Sequence, residues 1–300
     1  MTWSFPLLIP GWAGVNWPAV QLTGKEWIIA TTYLTVVTLG LLVDLWLVFR
    51  LRARPPAWPR HVQQLTARPW PWMEGGRIAV ILLAVFSLMA STSHIARALG
   101  GEIAGGEQYW IIIQSLAFHW LGLGLIAASL FQRHVGWRPA FGMDPRRLLR
   151  DIGRGTAFYL AVMPLLWFYA ILYQAALTQA GYEPTMQEVA VALTGAQPWW
   201  MRIYLLVLGV ALAPFFEELF FRGIVLPILA RYLGVAGAIG VVSVLFAAIH
   251  FHLPSLVPLF IIAVALALAY IYTESIIVPA VMHGLFNAVN LGLMMVLRQC

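Results

Sequence analysis

The stretch LLVLGVALAPFFEELFFRGIVLPILA, residues 205–230, sets three charges, Glu217, Glu218 and Arg222, between two apolar runs. Ionisable side chains are costly inside a bilayer and are kept there when they face a partner, a cavity or a pathway. The reading therefore turns on whether the surroundings are lipid. Of the 300 residues, 61% are hydrophobic and 10% charged, and mean hydropathy is +0.83. Soluble domains are about 45–50% apolar and about 25% charged. Apolar runs near the length of about 20 residues that a span needs lie at 27–49, 78–98, 108–131, 156–177, 201–216, 235–250, 255–273 and 276–297. The chain is expected to be an all-α, polytopic integral membrane protein with about eight transmembrane helices, with the cell (cytoplasmic) membrane as its expected location.

The net charge of +6 is explained by position. Arg50, Arg52, Arg54, Arg60, Arg68 and Arg77 lie between the first and second runs, and Arg133, Arg138, Arg146, Arg147, Arg150 and Arg154 between the third and fourth. The alternate loops carry Glu102 and Glu107, then Glu183 and Glu188. This is the positive-inside distribution. It predicts cytoplasmic arginine loops, both termini on the other side, membrane lipids as partners and no nucleic acid. The Pro- and Trp-rich segment RARPPAWPRHVQQLTARPWPWMEGG, residues 52–76, is expected to lie on the membrane surface. Residues 1–198 read as an N-terminal transmembrane region with two Arg-rich cytoplasmic loops, and 199–300 as the region that carries the chemistry. The lone cysteine, Cys300, excludes an intrachain disulfide, a CxxC pair and a cysteine metal cluster. The opening MTWSFPLLIPGWAGVNWPAV lacks a basic start and is interrupted by Pro and Gly, unlike a cleaved signal peptide; its tryptophans suit an interfacial segment.

Polar residues inside the spans are few. Asp44, His94 and His119 stand alone in the first half and read as packing residues, with Asp44 near enough to the interface to meet an arginine. From residue 214 onward they cluster. On a helix Glu218 and Arg222 are i and i+4 and can pair, while Glu217 is turned about 100° away, so the two glutamates need not share a role. FAAIH, residues 246–250, ends the sixth run, and HGLFN, residues 283–287, places His283 and Asn287 on one face of the eighth. Each motif alone could be interhelical glue. Counted at about 1.5 Å per residue from the expected cytoplasmic boundary, Glu217 and His250 lie about 21 and 22 Å along their helices, and His283 and Asn287 about 10 and 16 Å along theirs. Comparable depth on three helices favours a shared site. His252, Glu274 and Asn290 remain structural in this reading.

Glutamate and imidazole together support general-base chemistry on water, and a second imidazole and an amide can donate to the oxyanion of an attacked carbonyl. The motifs hold no HExxH and no Ser or Cys nucleophile. The set reads as water-mediated peptide hydrolysis.

EELFFRG, FAAIH and HGLFN resemble, in order, the EExxxR, FxxxH and HxxxN motifs of the CPBP intramembrane endopeptidases. That is the family of the CAAX prenyl endopeptidases and of bacteriocin-processing or immunity proteins. The resemblance covers about residues 200–297 and leaves the first four spans outside it. It implies that Glu217 activates water with help from His250, that His283 and Asn287 stabilise the oxyanion, and that Glu218 with Arg222 holds the motif helix. The implied substrate is a peptide or a lipidated, CAAX-type prenylated protein entering from the cytoplasmic side, with no cofactor. The alternative is zinc held by Glu217, His250 and His283. Two non-protease readings compete: a scaffold or immunity protein, and a transporter. The transporter is disfavoured because paired Gly- or Pro-broken segments are missing from two corresponding halves.

Overall fold

A computed structural model describes residues 24–98, 107–182, 193 and 198–298 of the chain. Among these residues all regular structure is helical, as lipid requires of a backbone that must satisfy its own polar groups. The helices are α1 (Gly24–Ala53), α2 (Trp58–Thr66), α3 (Trp72–Ala98), α4 (Glu107–Gln132), the short α5 (Trp137–Phe141), α6 (Leu148–Gln179), α7 (Trp199–Val207), α8 (Ala213–Glu218), α9 (Leu226–Ala248), α10 (Leu256–Thr273) and α11 (Ile277–Arg298). Among the described residues seven stretches are long and apolar enough to cross a membrane, which makes the protein multi-pass.

The difference from the eight expected runs has one cause. Residues 199–248 form a single helical stretch of 50 residues, holding both the fifth and the sixth run. It is broken at Gly234, whose φ of 69° and ψ of 169° no helix allows. Only glycine adopts such values cheaply, so the helical stretch kinks there without a loop.

α1 packs along α6, α6 along α11, and α9 along α10. α10 is the central staff: half of its membrane window is buried, against 6% for α1. The helices that carry the three motifs pack against it, with Glu218, Arg222 and His283 buried, while α1 faces outward.

The segment 52–76 packs into the bundle. α2 buries Leu65, and the turn after it buries Trp70 completely, with the indole 5.4 Å from the Phe141 ring. Backbone polar groups taken out of water must find partners, and arginines supply them here. Arg231 donates from Nε to the Thr66 carbonyl at 2.8 Å and from NH1 to that of Trp70 at 2.7 Å, and also bonds the Arg68 carbonyl. Arg133 donates to the Pro69 carbonyl at 2.5 Å. Arg68 donates to the carbonyls of Pro139 and Glu274 at 3.0 and 2.6 Å. Glu274, in the left-handed region with φ of 59°, pairs with His61 at 2.9 Å. Part of the arginine excess thus clasps one end of the bundle.

Candidate functional site

The motif helix is not a plain α-helix. Leu208–Leu212 and Leu219–Val225 are wide, π-helical turns on either side of α8, and a proline follows each by two residues, Pro214 and Pro227. In the first turn the Ala213 N–H bonds the Leu208 carbonyl, five residues back. Pro214 has no N–H, so it can serve neither the Gly209 carbonyl five back nor the Val210 carbonyl four back. Both face α11. Asn287 Nδ2 donates to the Gly209 carbonyl at 2.7 Å. A Cβ on Gly284 would overlap the Val210 carbonyl oxygen, so the absence of a side chain there permits the close approach. The spacing of Gly284 and Asn287 in HGLFN is thus the complement of a proline-opened turn.

This gives a stability prediction. Asn287→Ala removes the donor from a part-buried carbonyl and is expected to cost about 1–3 kcal/mol, read as a lowered thermal midpoint in detergent. An unchanged midpoint would mean that Gly209 finds another donor.

The two glutamates of α8 converge on one ring. Glu218 and Arg222 are both fully buried, and Arg222 NH1 donates to Glu218 Oε1 at 2.7 Å. The same Oε1 accepts from His283 Nδ1 at 3.0 Å. On the other side of the imidazole, Nε2 stands 3.9 Å from Glu217 Oε2. The angle of about 100° between successive side chains is spanned by a single imidazole inserted from α11. Both glutamates thus address His283, from opposite nitrogens. One oxygen of each carboxylate, Oε2, is buried without a hydrogen-bond partner.

Arg222 is held from three directions. Besides Glu218, its NH2 donates to the Ala263 carbonyl of α10 at 3.2 Å, and its guanidinium carbon lies 4.5 Å from the centre of the Phe246 ring. Phe246 is a contact hub that the reading of single polar residues missed. Its ring is 5.5 Å from His283 and 5.0 Å from His250. Its place four residues before His250, on the same helix face, was the available signal. His250 lies just beyond α9, part-buried, with Nδ1 bonded to the Phe246 carbonyl at 2.7 Å. A carbonyl oxygen only accepts, so Nδ1 carries the proton and the neutral ring keeps a lone pair at Nε2.

The zinc alternative needs Glu217, His250 and His283 around one point. Among the described residues no group of three or more His, Cys, Asp or Glu side chains is found that could hold a metal ion. His119 bonds the Ser115 carbonyl through Nδ1 at 2.6 Å and meets the Phe216 ring edge-on at 5.4 Å. His252 is bonded to Ser255 at 2.7 Å, and Asn290 donates to the Phe286 carbonyl at 2.8 Å. Asp44 forms no ion pair among the described residues. The His94 side chain, residues 1–23, Glu102, the Glu107 side chain, Glu183, Glu188 and Cys300 lie outside the described part.

Residues 198–289 match the family model described as Type II CAAX prenyl endopeptidase Rce1-like. The match covers all three motifs, agrees with the resemblance to the CPBP endopeptidases, and supports a CAAX-type intramembrane protease acting on a peptide or prenylated protein. No curated protein and no solved structure matches the chain.

Proposed function

We propose that this membrane protein hydrolyses a peptide bond near the carboxyl end of a prenylated, CAAX-type substrate with a water activated by Glu217. We place it in the cell membrane, with the substrate entering from the arginine-loop side as the cytoplasmic face. The observation that carries the reading is the division of labour around His283. Glu218 is wholly buried, and its Oε1 is committed to Arg222 and His283. Glu217 is 23% exposed, and its Oε2 has no hydrogen-bond partner 3.9 Å from the free side of the same ring. That gap exceeds a direct hydrogen bond and is short enough for one water to touch both groups.

In the proposed reaction Glu217 takes a proton from water as the water oxygen bonds to the scissile carbonyl carbon. The His250 lone pair at Nε2 helps to orient that water. Negative charge develops on the carbonyl oxygen. It is met by donors from α11: the second N–H of the Asn287 amide, whose first is bonded to Gly209, and His283 acting as an imidazolium, with Nδ1–H on Glu218 and Nε2–H toward the oxyanion. The carbon–nitrogen bond then breaks, and the proton held by Glu217 passes to the leaving nitrogen. The products are a carboxylic acid, which keeps the other proton of the water, and a free amine. Glu218 and Arg222 orient His283 and do not exchange protons with substrate.

The test is cleavage of a prenylated CAAX peptide by the purified full chain in liposomes. His250→Ala and His283→Ala are each expected to lower turnover by about 10²–10⁴-fold. Undiminished turnover in both variants rejects the mechanism. A wild-type protein that binds the peptide and never cleaves it supports the scaffold reading instead.

A further inference from the structure

At the arginine-rich end of the bundle, away from the Glu217–His283 cluster, a cavity of about 370 Å³ opens between α1, the first turns of α6 and the end of α10. Arg50, Arg150 and Arg154 line it, together with Tyr272. Asp151 is the carboxylate shared by two of them, at 4.0 Å from Arg150 and 3.4 Å from Arg154. Arg50 stacks on Trp46 at 4.9 Å. Three guanidiniums against one carboxylate leave two positive charges in excess. The remaining wall is apolar: Trp46, one turn before Arg50 on α1, and Ala157 and Phe158, one turn beyond Arg154 on α6. Both helices run from here into apolar spans. The charged half of the cavity therefore sits at the end of the membrane-length helices, and the apolar half continues toward the hydrocarbon.

We propose that this cavity binds the phosphate headgroup of an anionic phospholipid, with the first part of an acyl chain along Trp46 and Phe158. The planar guanidinium is the side chain best matched to phosphate oxygens, and basic pockets between spans on the cytoplasmic side take anionic headgroups. The size falls within the range of about 300–1,000 Å³ of small-ligand pockets, too small for a protein segment of any length. Arginines ending in a polar rim alone would fit any anion. An apolar wall directed into the bilayer fits an anion that carries a chain.

Gly153 provides a test that leaves every charge in place. It lines the cavity, and nothing stands within 4 Å of the position its Cβ would take, so a larger side chain there grows into the void. Native mass spectrometry of the full chain in detergent would read retention of added phosphatidylglycerol, phosphatidylcholine and inorganic phosphate. Wild type is expected to retain phosphatidylglycerol over phosphatidylcholine. Gly153→Leu and the triple variant Arg50→Gln, Arg150→Gln, Arg154→Gln are each expected to lose about tenfold or more of that retention, in line with the attraction per basic residue at a membrane surface. Equal retention of both lipids, or undiminished retention in a folded Gly153→Leu protein, overturns the proposal. Displacement of phosphatidylglycerol by inorganic phosphate at equal concentration also overturns it, in favour of a free-anion site. Peptide cleavage is not the readout, so failure here is distinct from failure of the protease reading.

Discussion

Glu217→Gln is expected to abolish peptide hydrolysis, by about 10²–10⁴-fold, without lowering the thermal midpoint. The amide keeps the shape of the side chain and loses the ability to take a proton. The fold should tolerate it because Glu217 is partly exposed and its Oε2 engages no hydrogen-bond donor. Glu218→Gln is the matched control. That residue is buried and bonded at once to Arg222 and His283, so its loss should lower stability and turnover together. The comparison is read from cleavage rate and melting curve on the same preparations. If Glu218→Gln lost activity at full stability while Glu217→Gln stayed active, the roles of the two glutamates would be exchanged.

Arg222→Ala is expected to be the most destabilising single change in the core, by about 3–5 kcal/mol, because it leaves a buried carboxylate without its countercharge. It also removes the donor to the Ala263 carbonyl and the cation above Phe246, so α8, α9 and α10 lose a common fastening. Replacing both partners, Arg222→Met with Glu218→Leu, should recover much of that stability, since buried pairs often gain little over apolar packing. Activity should stay low in the double variant, because His283 Nδ1 then lacks its acceptor. Equal unfolding midpoints for Arg222→Ala and wild type, measured in detergent, would contradict the buried-pair account. A fully active double variant would remove Glu218 from any positioning role.

Much of this was legible along the chain, and for identifiable reasons. Membrane crossing follows from apolar content summed over about 20 residues, a local and additive quantity, so the spans could be read one by one. The pairing of Glu218 with Arg222 is also local, since four residues along a helix are neighbours. That His283 and Asn287 share a helix face was visible from their i, i+4 spacing. Other features were not readable. Trp70 looks like an interfacial anchor in the sequence; its burial depends on Arg231 and Arg133, which come from elsewhere in the chain to satisfy the carbonyls around it. His61 and Glu274 are 213 residues apart, and no periodicity connects them. Phe246 was legible only as the first residue of FAAIH; that its ring meets a guanidinium and two imidazoles follows from the fold.

The sequence by itself determined the solvent, the helices and the residue types available for chemistry, because hydrophobicity and i, i+4 spacing act over short range. Which glutamate is tied down and which keeps an unpartnered oxygen was decided only by tertiary structure. His283 enters between them from a helix 65 residues away, admitted by Gly284 against a carbonyl that Pro214 cannot serve. A side chain's direction is set by its own helix, but its partner is set by whatever the fold brings into that direction.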